Sequence, residues 1–194
     1  MRYAGDVFRT GHGRLRDRVI SSTYFTISTP MWGGYTLREN HLAGFTLALD
    51  KLVATGIEPR RIVDVGTGAG ASAAMLARTW PQATVEAIDS SRRMLRHARK
   101  MHSESNLTFR RASALAMPYA SGSVDVVTCL NAIVVPSEMR RVCAPGGHVL
   151  MAATWVPLRD DDSDWVRRFA DAGFRRIAAD NHGNGSWELL TFTP

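Results

Sequence analysis

The residues best placed for chemistry are Asp64 and the alternating glycines Gly66, Gly68 and Gly70 in the run RIVDVGTGAG. Glycine carries no Cβ, so this stretch can take unusual dihedrals and let a ligand lie directly against the backbone beside Thr67. A helix-forming run starts at Ala69, and its first amides face the same ligand. Asp64 narrows the chemistry. A carboxylate just before the first glycine repels a phosphate at this turn and welcomes an ammonium group. The third glycine also comes one position early for the dinucleotide pattern G-x-G-x-x-G.

Such a turn needs a central strand before it. Ile62, Val63 and Val65 supply the near-continuous apolar run of a parallel strand covered on both faces. The helix after the turn runs from Ala69 to Thr79. An earlier amphipathic helix spans His41 to Thr55, with Leu42, Phe45, Leu49, Leu52 and Val53 on one stripe and Gly56 as its stop. Thr84 to Asp89 reads as the second strand. Ser90 or Ser91 caps the next helix, whose Met94, Leu95, Ala98 and Met101 face inward while its arginines face water. Leu107 to Ser113, Ser123 to Asn131 and His148 to Trp155 read as strands three to five. A short helix lies around Ser137 to Val142, and Asp162 to Ala172 is amphipathic, with Trp165, Val166 and Phe169 inward. Arg175 to Asp180 and Trp187 to Thr193 flank the turn-rich link Asn181 to Gly185 and form a hairpin. Strands that alternate with helices make an α/β fold, whose ligands sit at the C-terminal ends of the strands, where Asp89 and Asn131 stand.

As it stands, D-x-G-x-G-x-G resembles motif I of the class I S-adenosylmethionine-dependent methyltransferases. IDSSRRML and Ala144-Pro145-Gly146-Gly147 are similar to the family's sequence after its second strand and before its fifth. The resemblance covers residues 41–194. It implies a Rossmann-like doubly wound sheet of seven strands with the last antiparallel, a methyltransferase, and S-adenosyl-L-methionine as cofactor. On that basis Asp64, Gly66, Thr67, Gly68 and Gly70 line the cofactor's turn, Asp89 meets the ribose with Ser90 beside it, and Ser113 and Ala114 meet the adenine. Glu86 is a weaker ribose candidate, because it points to the other face of its strand. Where the family commonly has an acid, this chain has Ser113, so the adenine contact loses charge assistance. Asn131 stands near the substrate chemistry and the cofactor. The family's Asn-Pro-Pro-aromatic motif is replaced there by Cys129-Leu130-Asn131-Ala132, which speaks against amino groups of DNA bases as acceptors.

The implied reaction is in-line attack on a sulfonium methyl, which needs no metal. The remaining histidines, His12, His97, His102, His148 and His182, show no metal-site spacing. If the acceptor is a hydroxyl, His41 is the first candidate base, since histidine titrates near neutrality; a polar helix start is the plain alternative. Tyr35 could orient an acceptor, or simply pack. Trp32 and Trp155 could wall an aromatic pocket, or belong to the core.

With 194 residues, the chain is long enough for one well-buried domain and short for two. Residues 1–40 are the least regular part. Ser21 to Tyr35 mixes aromatics and hydroxyls with Gly33-Gly34, the composition of a mobile cap or lid; the alternative is an edge that packs on a second copy of the chain as a homodimer. The expected organisation is therefore an N-terminal cap, 1–40, and a cofactor-binding domain, 41–194. No apolar run reaches membrane-spanning length, and the first residues lack a signal-peptide core, so a cytoplasmic protein is expected. Cys129 and Cys143 read as small apolar residues. The net charge of +6 raises the possibility of nucleic acid, but the arginines come as scattered pairs, which favours a solvated basic surface and a small-molecule substrate. An RNA methyltransferase and a non-catalytic cofactor-binding scaffold are the alternatives.

Overall fold

The computed structural model describes residues 39–154 and 163–193. Its elements are α1 (Glu39–Val53), β1 (Arg61–Val65), α2 (Ala71–Thr79), β2 (Thr84–Asp89), α3 (Arg92–Met101), β3 (Leu107–Arg111), β4 (Val124–Leu130), α4 (Pro136–Val142), β5 (Cys143–Ala153), α5 (Ser163–Asp171), β6 (Phe174–His182) and β7 (Gly185–Phe192). The seven strands form one sheet in the order β3-β2-β1-β4-β5-β7-β6. β7 alone runs against its neighbours, pairing antiparallel with both β5 and β6. This is the doubly wound sheet expected from the sequence, with its order reversing between β1 and β4. Of the expected cap, 1–40, residues 1–38 lie outside the described residues, as do Trp32, Tyr35 and Trp155, while Glu39 and Asn40 begin α1.

Alternation along the central strands divides the core between the two faces. Ile62 joins Phe45, Leu49 and Leu52 of α1, Leu76 of α2, and Leu150, Trp187 and Leu189 of the sheet. Val63 and Val65 point the other way, to Met139 and Val142 of α4, Phe169 of α5, and Phe174 and Phe192 of the hairpin. Two expected core positions are not buried. Val53 is 46% exposed where α1 ends, and Met101 is likewise 46% exposed, because α3 stops there before its inward stripe can close over it. The hairpin is tighter than the sequence suggested: His182 pairs with Gly185 across two residues, the first of them Gly183 at φ 59°.

Two polar side chains hold the strands' N-terminal ends. A bulge at Asp125 frees its carboxylate to accept the N–H groups of Arg60 and Arg61, both at 2.9 Å. Asn106 directs its amide nitrogen at the carbonyls of Ala77, Trp80 and Ala83, at 3.0–3.1 Å, and so ties the end of α2 to the start of β2. Asn106→Ala would leave these carbonyls without that donor. It should cost about 1–3 kcal/mol in urea unfolding while leaving ligand affinity unchanged.

Candidate functional site

The glycine turn follows β1 beside the point where strand order reverses. Gly66 and Thr67 donate their N–H groups to the Ile88 carbonyl at 2.8 and 3.0 Å, which seats the turn against β2. All three glycines have left-handed φ values, 68°, 56° and 88°. Their surroundings differ. A Cβ on Gly66 would lie 2.4 Å from the Ala132 Cβ, and one on Gly70 would lie 2.9 Å from the rings of His102 and Phe109. Close packing within the protein therefore demands glycine at both. A Cβ on Gly68 would meet the flexible methyl tip of Met94 at 3.3 Å, and then nothing nearer than the Gly66 carbonyl at 4.0 Å. Gly68 is the position whose open side can take a ligand.

Asp89 braces this turn from the end of β2. One carboxylate oxygen accepts the Gly68 N–H at 2.9 Å, and the other accepts the Ser91 N–H at 2.8 Å. Ser91 in turn caps α3, its hydroxyl accepting the Met94 N–H. Burial raises the Asp89 carboxyl above the usual carboxylate range, against the pull of the two N–H bonds. Each oxygen keeps lone-pair capacity for a further donor, such as a pair of vicinal hydroxyls. Ser90 is exposed next to it. Glu86 faces the opposite side of the sheet, 3.7 Å from the Arg110 guanidinium, away from the turn.

Asp64, expected at the cofactor's turn, lies beneath it. It is fully buried, and its two oxygens accept the hydroxyls of Ser72 at 2.8 Å and Thr128 at 2.7 Å. The cause is strand alternation: Asp64 shares the face of Ile62, beneath α2, while the turn passes above it. Burial raises its pKa, and the hydroxyls of Thr128 and Ser72 lower it in part.

Ser113 is exposed just beyond β3, and its hydroxyl accepts the Leu115 N–H at 3.2 Å. Ala114 is half-buried beside it. The loop that follows is fastened to α4. Glu138 accepts the Met117 N–H at 2.6 Å, and Arg141 donates to the carbonyls of Tyr119 and Met117 at 2.6 and 2.8 Å. Hydrogen bonds from Arg141 hold the Glu138 carboxyl below its ordinary value. Sequence reasoning missed this clamp, since its acid and its base looked like an ordinary helix-surface pair.

At the C-terminal ends of β4 and β5 the structure brings together two residues singled out in the sequence and one that was not. Asn131 has φ 54°, the one positive value for a non-glycine among the described residues. It is held there by Thr154: Asn131 Oδ1 accepts the Thr154 N–H at 2.8 Å, and Asn131 Nδ2 donates to Thr154 Oγ1 at 2.8 Å. The same Oγ1 lies 3.5 Å from both Nδ1 and the carbonyl oxygen of His41, in the first turn of α1. His41 is 7% exposed, and burial lowers its pKa, so the ring is neutral near pH 7. Thr154 escaped the sequence reading because strand five was carried through it to Trp155. The Asn131 peptide leads into Ala132, whose methyl presses on Gly66, so this cluster adjoins the glycine turn.

Comparison with known proteins agrees with this geometry. A family model described as a methyltransferase domain matches residues 62–147, from β1 to the turn before the main run of β5. The matched segment agrees with the resemblance to the class I S-adenosylmethionine-dependent methyltransferases. It is 28% identical over 182 residues to a fatty-acid O-methyltransferase of Mycolicibacterium smegmatis, a match covering 89% of this chain and 66% of that protein. It is 30% identical over 131 residues to the ubiquinone/menaquinone biosynthesis C-methyltransferase of Desulfotalea psychrophila, covering 62% of this chain and 53% of that one. The chain thus spans between half and two thirds of these relatives' lengths. Among solved structures, the protein bound to the Trm112 methyltransferase activator of Haloferax volcanii superposes with a TM-score of 0.73 at 17% identity, covering 88% of this chain and 98% of its own. That likeness is one of fold.

The hydrogen bonds around Thr154 suggest a state for His41. A threonine hydroxyl has one proton and two lone pairs. The Asn131 amide occupies one lone pair. With the hydroxyl proton directed to the His41 carbonyl, the second lone pair accepts a proton from Nδ1, 3.5 Å away, and Nε2 is the unprotonated nitrogen in that arrangement. Nitrogen-15 NMR, with the signals assigned by their loss in His41→Gln, should show Nδ1 protonated and Nε2 unprotonated. Thr154→Val should raise the share of the opposite tautomer; an Nε2-protonated ring in the unaltered protein would contradict this arrangement.

Proposed function

We propose that the chain transfers a methyl group from S-adenosylmethionine to a small-molecule acceptor. The observation that carries this reading is the placement of the open Gly68 face and the Asp89 carboxylate beside the Asn131–Thr154–His41 cluster, at one end of the sheet. The residues fit the cofactor. Gly68 leaves a cradle that a side chain would fill, Asp89 keeps lone pairs for the ribose hydroxyls, and Ser113 stands near where the adenine would lie. Bound there, S-adenosylmethionine supplies a methyl group made electrophilic by its sulfonium.

The chain's own part is to bind, align and accept a proton. Alignment of the two reactants can contribute up to about 7–11 kcal/mol without a covalent enzyme intermediate. His41, neutral and with its lone pair on Nε2, takes the acceptor's proton at that atom as the acceptor's lone pair attacks. Thr154 and Asn131 hold the ring in that state, and Tyr35 orients the acceptor. The names of the relatives, an O-methyltransferase of fatty acids and a C-methyltransferase of quinone biosynthesis, support an apolar acceptor bearing an oxygen or an acidic carbon. Residues 1–40 serve as the cap over it.

Calorimetry tests the cofactor assignment. Asp89→Ala should weaken S-adenosylmethionine binding roughly ten- to a hundredfold, by loss of a charge-assisted contact, whereas Ser113→Ala should cost about tenfold or less. Gly68→Val should abolish binding in a protein that still folds. Equal small losses at Asp89 and Ser113 would remove the ribose assignment. Once an acceptor is found, kcat/KM should fall on acidification with a pKa below the ordinary 6.5 of histidine, because burial favours the neutral ring.

A further inference from the structure

Some of the arginines that look scattered in the sequence are gathered by the fold at the β3 edge of the sheet. α3 carries Arg92, Arg93, Arg96, Arg99 and Lys100 with no acid in its first turn. A groove of about 540 Å³ runs along it, lined by Arg92, Leu95, Arg96, Arg99, Lys100 and, from the end of β3 at the sheet edge, Arg111. Among the described residues, none of these five lining cations forms an ion pair.

Fold stability does not account for this arrangement. Arg92 and Arg93 occupy the positive end of the helix macrodipole, where anions are favoured. Arg92 and Arg96, Arg96 and Lys100, and Arg96 and Arg99 are like-charge neighbours at spacings of three or four, each unfavourable on a helix surface. Two guanidinium groups are already set in place by backbone carbonyls. Arg99 donates to Phe109 at the sheet edge, and Arg111 donates through Nε to Ser90 at 3.1 Å. Held this way, each keeps further N–H donors and has less freedom to lose when an anion arrives.

We infer that this groove binds the phosphate backbone of a single-stranded nucleic acid. From Arg92 to Lys100 the cations extend about 12 Å along the helix, with Arg111 on the facing wall, which suits a chain bearing a negative charge at every repeat. Among the described residues Leu95 is the sole apolar side chain lining the groove, which leaves little for acyl chains to bury against. Among the described residues no aromatic side chain lines it, so the contact is to backbone and is independent of base sequence. The Arg92–Arg111 end lies against Ser90, next to Asp89, so a bound strand would pass the mouth of the cofactor turn. This proposal concerns a surface apart from the acceptor site and holds whether or not the acceptor is a small molecule.

The test is fluorescence anisotropy with a labelled oligouridylate of about twelve nucleotides, using the full chain, between about 50 and 200 mM salt. Binding should weaken with a log–log salt slope of about −3, as four or five phosphate contacts on a single strand require. Arg96→Glu with Lys100→Glu, on the exposed face and without hydrogen bonds to the fold, should lower affinity at least tenfold. Thermal stability should not fall, and S-adenosylmethionine binding should not change. Absence of oligonucleotide binding at the lowest salt, or loss of less than twofold in the double variant, would overturn the proposal. So would tighter binding of phosphatidylserine vesicles or polyglutamate that is lost in the same variant, since the groove would then serve a lipid surface or an acidic protein.

Discussion

Asp64 is a carboxylate without access to water at the place where β1, β4 and α2 meet. A buried charge costs several kcal/mol unless its oxygens are met by donors, and here Ser72 and Thr128 meet them from α2 and β4. The Thr128 bond joins the first strand of one half of the sheet to the first strand of the other. The Ser72 bond fixes the helix that starts just past the glycine turn. The turn therefore sits on a polar floor that is closed beneath it, and its open side faces the ends of the strands.

What stands on that floor is braced from both neighbours. β2 contributes the Ile88 carbonyl and the Asp89 carboxylate, which hold the N–H groups of Gly66, Thr67 and Gly68. The loop just after β4 contributes Ala132, packed so tightly that Gly66 has no room for a side chain. The left-handed Asn131 just before it is an unusual conformation for a residue with a Cβ, and it persists because Thr154 satisfies both ends of its amide. The strain is thus located between the cofactor turn and His41. A shift in β5 that moved Thr154 would release Asn131, and with it the wall against Gly66.

Much of this was legible beforehand. The β-branched run ending in glycines, the TVEAID strand with its terminal acid, and the Ser91 cap each depend on neighbours in sequence, and the structure reproduces them. Which way a side chain points can also be read, since alternation in a strand is strict: Glu86 and Asp89 fall on opposite faces as expected. The same rule turns Asp64 inward, beneath α2. Met101 and Val53 were misplaced at helix ends, where the core no longer extends to cover an otherwise regular stripe.

By itself the sequence determined the strand–turn–helix order, the glycines that need left-handed backbone, the carboxylate at the end of β2 and the antiparallel closing strand, because local dihedral preference and apolar period decide these. Only the tertiary structure decided that His41, Asn131 and Thr154 share a cluster, that Glu138 and Arg141 clamp the loop after β3, and that Arg111 joins the basic face of α3. The reason is physical. Each of these depends on sheet order and register, which bring residues up to 113 positions apart into hydrogen-bond range, and no local pattern in the chain records that distance.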